Sequence, residues 1–484
     1  MSLARRAMHG AMWTVGTSMT ARIVGLVGTL VITRFLAPDV IAEVSAASIL
    51  VISGSMLSNF GLGNYYIVKG GDPDVGFHMT TYSTILGALA LGLVWVLNEP
   101  LSAWIGVPGI AQYVPGLIAA WALRRIGSLP QKVLAREMRF GRLSMARATG
   151  EITYVVSAVG LAAAGFGGDA VVIGNVLQAA VDALIVMAGV SWRSWLQPHR
   201  LRWERTRDMF RFGIPLGLNA FLIHGSQSWD RWVYTYFFGP SLMGLYQLGH
   251  RLAELPAAQI GEQIGDVLLP SMARLEATSR ARAVIRSTAL LSLVVFPMAL
   301  GLAAIAEPLV LLLLNQQWHG VAPFVTILSA MSIFHPLSST LSSYLISYSQ
   351  TRPLLIMEIV MVAAMGAGMA AFSRLGPLWI CAGVLVGFAL HALLAAWLCV
   401  GRYGVSARGL VAAFVRPLLA CLPMIAAVLA VRDGLRAAGM QPAASLVLEI
   451  LAGVAVYVPS ALVLAPAIAR DFLDLLRRAL SRAS

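Results

Sequence analysis

The sequence predicts an all-α polytopic membrane protein with about 14 transmembrane helices. Of its 484 residues, 58% are apolar and 12% are charged, whereas about 25% of the residues of a soluble domain are charged. Charged residues are sparse within long apolar blocks. The length of each block is close to the span of about 20 residues that a helix needs to cross the hydrocarbon layer. The loops between the blocks alternate between Arg-rich and Arg-poor. These features predict a surface that faces lipid and leave little chain for a soluble domain.

The predicted spans follow the apolar blocks in order. They cover residues 12–33, 40–62, 78–97, 110–128, 147–166, 169–190, 211–238, 241–264, 285–306, 320–346, 354–373, 376–400, 409–431 and 443–466. The first block is long, contains Arg22 and lacks a cleavage site of small residues. We therefore predict that it is a span and not a removed signal peptide.

The basic residues of the loops predict the orientation of the chain in the membrane. Even-numbered connections contain Lys132, Arg136, Arg139, Arg142, Arg147, Arg193, Arg200, Arg202, Arg205, Arg207, Arg274, Arg280 and Arg282. Odd-numbered connections contain few, the exceptions being Arg34, Arg374, Arg432 and Arg436. The positive-inside rule places the Arg-rich loops and both termini in the cytoplasm. This topology and the anionic lipid headgroups account for the net charge of +13, and no folded basic domain supports binding to nucleic acid.

An internal repeat predicts how the spans are organised. At an offset of 202 residues, Arg34-Phe35-Leu36-Ala37-Pro38 aligns with Tyr236-Phe237-Phe238-Gly239-Pro240. Repeats of this kind build many secondary transporters, with a central site between the two halves. We predict an N-lobe at 1–200 with spans one to six and a C-lobe at 201–404 with spans seven to twelve. Residues 405–484 would add two extra spans and a cytoplasmic amphipathic tail.

Charged and polar residues in the predicted spans or at their ends are the candidate substrate-binding residues, because a charge at this depth usually faces protein or water. They are Arg22, Arg34, Asn219, Asp230, Arg231, Arg251, Glu254 and Glu262. The sixth span adds Asn175, Gln178 and Asp182. The arginines could hold an anionic group such as a diphosphate, since guanidinium groups pair phosphate oxygens bidentately. The alternatives are internal ion pairs, for instance Arg251 with Glu254, and an interfacial anchor at Arg34.

Other chemistry finds little support in the sequence. Cys381, Cys399 and Cys421 lie in predicted late spans, with the spacing of neither a disulfide framework nor a metal site, so we interpret them as packing residues. No phosphate-binding loop of the Gly-x-x-x-x-Gly-Lys type is present. Paired carboxylates and a large outer loop are missing as well. We predict a protein that is not an enzyme, that uses no cofactor or metal and that is not driven directly by ATP.

Two groups of motifs resemble a known family. The first group is Gly10-Ala11-Met12-Trp13, Arg22, Thr33 to Pro38 and Asn59-Phe60-Gly61-Leu62-Gly63. The second is Trp229-Asp230-Arg231, Phe238-Gly239-Pro240, Gly244-Leu245-Tyr246, Arg251-Leu252, Pro256 and Leu268-Leu269-Pro270-Ser271. They resemble bacterial polysaccharide transporters of the multidrug/oligosaccharidyl-lipid/polysaccharide (MOP) exporter superfamily. One departure is that Pro38-Asp39 is followed by Val40 in place of the usual Gly.

This resemblance implies a two-lobed flippase of the bacterial inner membrane with a cationic central cavity and alternating access. Its substrates would be undecaprenyl-diphosphate-linked oligosaccharide units for capsule, exopolysaccharide or O-antigen (lipopolysaccharide) synthesis. Partners would be membrane lipids and the polysaccharide polymerase and glycosyltransferases of the same pathway. The alternatives are a drug/cation antiporter or a peptidoglycan-precursor flippase of the same superfamily and, from another class, a membrane-bound acyl- or glycosyltransferase. Asp182, Asp230 and Glu262 favour retaining the antiporter as an alternative, since an antiporter needs acidic side chains that cations can reach.

Overall fold

The computed structural model describes residues 24–57, 60–68, 72–107, 109–137, 139–191, 197–273, 277–348 and 351–481. Within 255–278 and 475–481, and at a few other positions that include Asn219, it describes the backbone and not the side chains. All regular secondary structure in these ranges is helical.

The helices follow one another with short connections. We number them α1 (24–32), α2 (Pro38–Leu57), α3 (Leu62–Val68), α4 (Pro73–Val96), α5 (Asn98–Ile105), α6 (Ile110–Ile126), α7 (Ser128–Arg136), α8 (Phe140–Ala163), α9 (Asp169–Met187), α10 (Trp203–Ala273), α11 (Ala277–Leu313), α12 (Ala322–Met331), α13 (His335–Ser347), α14 (Thr351–Phe372), α15 (Ile380–Tyr403), α16 (Ala407–Ala437), α17 (Pro442–Leu464) and α18 (Pro466–Ser481). Short 3₁₀ segments lie at Gln316–Val321, Ser332–Phe334 and Ser373–Leu375.

Many of these helices are suited to a membrane. Among the described residues, nine helical stretches are long and apolar enough to cross one. Two further helices, α6 and α8, and the two halves of α10 coincide with predicted spans four, five, seven and eight. These four segments are shorter or more polar: α6 has 17 residues, and α8 contains Arg142, Arg147 and Glu151. The prediction of an all-α membrane protein is confirmed, and most of the first predicted span lies outside the described residues.

Large apolar side chains on the outer faces of the helices support the membrane assignment. On α15, Val386, Leu393 and Trp397 recur at helical spacing and are 42%, 61% and 71% exposed. A soluble protein rarely exposes such a continuous apolar surface. In a bilayer these side chains contact lipid, so burying them within the protein is unnecessary.

The chain forms two compact units, residues Met1–Gly244 and Leu245–Ser484. The first unit has a core between α3, α4, α7 and the start of α10, in which Leu62, Met79, Leu134 and Met209 are buried. The second has a core between α11, α13, α15 and α16 that includes Leu341, Tyr344, Cys399 and Leu410. The lobe boundaries predicted from the sequence stay a prediction.

A glycine divides α10 where the sequence predicts the end of span seven. Gly239 has φ 77° and ψ 179°, a conformation that residues with a side chain rarely adopt, and Pro240 follows it. In the repeated motif, Pro38 likewise begins a helix, α2, after the turn at 33–37. Both copies of the motif therefore end one helix and start the next.

The second of these helix starts is also a close packing site. A Cβ on Gly244 would lie 2.2 Å from the carbonyl oxygen of Pro38, which is well inside van der Waals contact. Glycine at this position lets the backbone of α10 lie directly against the start of α2.

Two ion pairs hold the last helices together, one between α16 and α17 and one between α11 and α18. The guanidinium of Arg432 donates to Glu449 Oε2 from Nε at 3.1 Å and from Nη2 at 2.9 Å, and Nη2 also donates to the carbonyl of Ala304. Both side chains of this pair are buried. At the chain's end, Arg286 on α11 forms a two-pronged pair with Asp471 on α18. The last two spans and the C-terminal helix are thus packed onto the second unit.

The cysteines agree with the interpretation as packing residues. Cys381, Cys399 and Cys421 are all buried free thiols. Cys421 packs with Phe296 and Met424 between α11 and α16.

Candidate functional site

The first unit contains a polar network between α6, α8 and α9. Arg124 Nη2 donates to Gln178 Oε1 at 3.0 Å, and Gln178 Nε2 donates to Glu151 Oε2 at 2.9 Å. The amide of Gln178 thus stands between a guanidinium and a carboxylate. Glu151 and Gln178 lie near the middle of α8 and α9, so the network reaches well into the helix bundle.

A second tier of the network lies towards the Arg-rich loops. Gln131 Nε2, on the short helix α7, donates to Asp182 Oδ2 at 3.1 Å. Arg124 and Arg147 both attract the Asp182 carboxylate electrostatically. Lys132, also on α7, lies near Arg147, and burial together with this neighbouring positive charge lowers the pKa of Lys132. Amide and carboxylate groups therefore alternate with cations from α7 to the middle of α8.

The network extends to the first predicted span. A Cβ on Gly25 of α1 would lie 2.3 Å from Glu151 Oε1, so the carboxylate rests against bare backbone. Arg22 lies outside the described residues. The sequence prediction places Arg22 on the same helical face as Gly25, three residues earlier.

The candidate residues on the first half of α10 differ in their surroundings. Asp230 is buried, with 3% of its surface exposed. Arg231 is half-buried, and its Nε has no hydrogen-bond partner among the described residues. His224 lies seven residues earlier, on the same helical face. The side chain of Asn219 lies outside the described part of the chain.

The candidate residues of the second unit lie on the second half of α10. Arg251 and Glu254 are exposed, and Glu254 Oε2 lies 3.4 Å from His250 Nδ1. The alternative ion pair that the sequence offered for Glu254 was Arg251, whereas the structure places His250 one turn before it. The side chain of Glu262 lies outside the described residues. Arg34 is exposed in the turn that precedes α2.

Sequence reasoning missed two members of the network, Arg124 and Glu151. Both lie in or beside predicted spans, so the rule that flagged Arg22 as an intramembrane charge applies to them as well. Gln178 and Asp182 are among the polar residues that the sequence analysis adds from the sixth span. Arg125, the neighbour of Arg124, donates to the carbonyl oxygens of Ser83 at 2.7 Å and Ser55 at 2.9 Å. It joins α2, α4 and α6, and this is a structural role.

The fold belongs to a known class of membrane transporter. The structure superposes on the lipid II flippase MurJ in an inward closed conformation with a TM-score of 0.76, at 11% identity, covering 96% of this chain and 100% of that one. An inward-facing multidrug resistance MATE family transporter of the MOP superfamily gives a TM-score of 0.58 at 15% identity, covering 81% of this chain and 98% of that one. At these identities the likeness establishes the MOP fold alone.

The family follows from the sequence comparison. The chain belongs to the polysaccharide biosynthesis protein family, whose model matches residues 31–323. It is 25% identical over 372 residues to the succinoglycan biosynthesis transport protein ExoT of Rhizobium meliloti, and the aligned region covers 74% of each chain. It is 21% identical over 412 residues to the teichuronic acid biosynthesis protein TuaB of Bacillus subtilis, covering 82% of this chain and 83% of TuaB. The lipopolysaccharide biosynthesis protein WzxC of Escherichia coli is 20% identical, with 72% and 71% covered. The resemblance stated from the motifs is confirmed.

Proposed function

We propose that this protein is a flippase that moves undecaprenyl-diphosphate-linked oligosaccharide units from the cytoplasmic to the periplasmic leaflet. The observation that carries the proposal is membership of the polysaccharide biosynthesis family over residues 31–323. A relative that covers 74% of the chain is named as a transport protein of succinoglycan biosynthesis. Two further relatives are named for lipopolysaccharide and teichuronic acid biosynthesis.

The substrate sets a physical problem that the polar network addresses. A sugar-diphosphate headgroup cannot cross hydrocarbon alone, because moving an ionised group out of water costs many kcal/mol, whereas the polyprenyl tail stays in lipid. Polar and charged side chains inside the helix bundle replace the lost water. In the first unit, Gln178 and Glu151 supply such groups near mid-helix, and Arg124 at the end of α6 donates to Gln178. Alternating access would expose them to one leaflet at a time.

The proposed binding residues are those predicted from the sequence. Arg22, Arg231 and Arg251 would pair the diphosphate oxygens, and the half-buried Arg231 supports this with an Nε that has no partner among the described residues. Asp230, Glu254 and Glu262 would balance these charges. Asn219 and Arg34 would contact the sugar or the headgroup at the interface.

The proposed location is the bacterial inner membrane, with both termini and the Arg-rich loops in the cytoplasm. The positive-inside rule supports this orientation. The chemistry proposed is transport without covalent change, so the protein would act beside polymerase and glycosyltransferases of one pathway and not as an enzyme.

Lipid analysis of cells depleted of this protein tests the proposed function. We expect a polyprenyl-diphosphate oligosaccharide to accumulate on the cytoplasmic leaflet, together with loss of surface polymer. Restored export after re-expression is the control. If peptidoglycan precursor accumulates instead, the protein is a peptidoglycan-precursor flippase. If no lipid accumulates and sensitivity to cationic drugs rises, the antiporter alternative is correct.

A further inference from the structure

The cation positions of the first unit differ chemically from those elsewhere in the chain. Of the 35 basic residues, two are lysines, Lys69 and Lys132. Lys132 is half-buried on α7, and a Cβ on Gly63 of α3 would lie 2.7 Å from its Cε. Because residue 63 is a glycine, the aliphatic part of the Lys132 side chain can pack directly against the backbone of α3. A lysine placed in this way carries a compact charge at a fixed point.

The cations of this cluster exceed the acids that face them. Arg124 and Arg147 both attract the Asp182 carboxylate, Lys132 lies near Arg147, and Glu151 lies one tier deeper and attracts Arg124. Arg124 donates at 3.0 Å to the amide oxygen of Gln178, a neutral acceptor, and Gln178 is what contacts Glu151. The positive charge of Arg124 is thus bonded to an uncharged group. With three cations against two carboxylates, the cluster can accept an anion.

We propose that Arg124, Lys132 and Arg147 form a diphosphate-receiving subsite at the Arg-rich end of the first unit. The inference rests on the proposed function, and it names where the headgroup of the lipid-linked substrate is first held on the cytoplasmic side. Two guanidinium groups and one ammonium match the oxygens of a diphosphate, because arginine pairs two oxygens and lysine supplies a point charge. The hydrogen bond that Arg124 donates goes to the uncharged amide of Gln178.

The arrangement also explains how the substrate would move on. Glu151 lies deeper in the bundle than Asp182 and contacts Gly25 of α1, near the predicted position of Arg22. A diphosphate that leaves the subsite would therefore meet the predicted deep cation next. Asp182 and Glu151 keep the subsite from holding the anion too tightly to release it.

Protection of a single lysine tests the subsite in the purified full-length protein. In a Lys69→Arg background, Lys132 is the one remaining lysine, and its acetylation is followed by mass spectrometry in nanodiscs of neutral phosphatidylcholine. We expect pyrophosphate to slow the acetylation of Lys132. Arg147→Gln or Arg124→Gln should raise the pyrophosphate concentration needed about tenfold, the size of one lost charge-assisted hydrogen bond. The exposed Arg207→Gln is the matched control and should change nothing.

Two further variants exclude a merely structural effect. Gln178→Glu places a carboxylate against Arg124, so protection should weaken although the bond to Arg124 is kept. Gly63→Ala displaces the Lys132 stem and should also weaken protection. Equal acetylation with and without pyrophosphate, or unchanged protection in Arg147→Gln, would overturn the proposal.

A second set of nanodiscs distinguishes the diphosphate of the substrate from the phosphate of an ordinary lipid headgroup as the ligand of the subsite. Nanodiscs that contain phosphatidylglycerol should protect Lys132 less than those that contain undecaprenyl diphosphate, and equal protection would overturn the assignment to the substrate. Failure of the subsite and failure of the proposed function give different results. Accumulation of the lipid-linked sugar without protection would remove only the subsite, whereas protection without accumulation would remove only the flippase function.

Discussion

Amide side chains separate the charges inside the first unit. Gln178 bridges Arg124 and Glu151, and Gln131 holds Asp182. Removing a charge from water costs less when hydrogen bonds satisfy it. The neutral amides supply these hydrogen bonds and add no charge of their own, so the buried charged groups are stabilised while the net charge of the network is unchanged.

The lowered pKa of Lys132 leads to a pH prediction. Burial and the charge of Arg147 disfavour the ammonium form of Lys132. The neutral, reactive amine therefore appears at a lower pH than in an unfolded chain, where the pKa of a lysine is about 10.4. In the Lys69→Arg variant, the acetylation rate of Lys132 should rise at lower pH in the folded protein than in the same protein unfolded in detergent. Identical pH profiles in the two states would contradict the assignment.

Helix by helix, the sequence predicts much of the fold. Predicted spans 169–190 and 443–466 correspond to helices at Asp169–Met187 and Pro442–Leu464, because hydropathy marks the lipid-crossing segment directly. Predicted span 285–306 is shorter than Ala277–Leu313. The helix begins with the polar turn 277–282, which carries no hydropathy signal, and it continues past Glu307 and Pro308, where the sequence prediction ends the span. The partners of Glu151 were beyond prediction, because periodicity assigns a residue to a face and not to a neighbouring helix.

The contact between Gly244 and Pro38 predicts a strong effect of one methyl group. Gly244→Ala should lower the free energy of unfolding by about 1–3 kcal/mol, because the added Cβ overlaps a backbone oxygen that cannot move aside. Thermal unfolding of the purified protein in detergent measures this. Gly92→Ala is the matched control, since a Cβ there meets nothing within 4 Å and alanine favours a helix. Equal melting temperatures of the two variants would show that the contact is not tight.

The attachment of the last two spans predicts a second stability effect. Glu449→Ala leaves Arg432 buried without its carboxylate, which costs about 3–5 kcal/mol for a buried pair. The double variant Arg432→Met, Glu449→Leu should be more stable than Glu449→Ala, because it buries no charge. The exposed pair of Arg436 and Glu307 serves as a control, and Glu307→Ala should change the melting temperature little. A double variant less stable than Glu449→Ala would refute this explanation.

Across the whole molecule, cations inside the helix bundle should be needed for export and not for folding. Arg22→Ala or Arg231→Ala should abolish polymer export while the protein remains in the membrane at normal level. Arg→Lys at either position should restore export only in part, because lysine carries a point charge and lacks the planar two-pronged fork of arginine. Immunoblots of membranes and assays of surface polymer measure the two effects, with Arg207→Ala as control. Normal export in both alanine variants would remove the cationic-cavity model.

The most direct test of the central claim is translocation by the purified protein. Vesicles with and without the protein would hold a labelled undecaprenyl-diphosphate oligosaccharide, and a membrane-impermeant lectin would report the fraction that reaches the outer leaflet. We expect the protein to make the sugars of the inner leaflet accessible to the lectin. Arg22→Ala and Arg231→Ala together should prevent this. Accessibility equal to that of protein-free vesicles would contradict it.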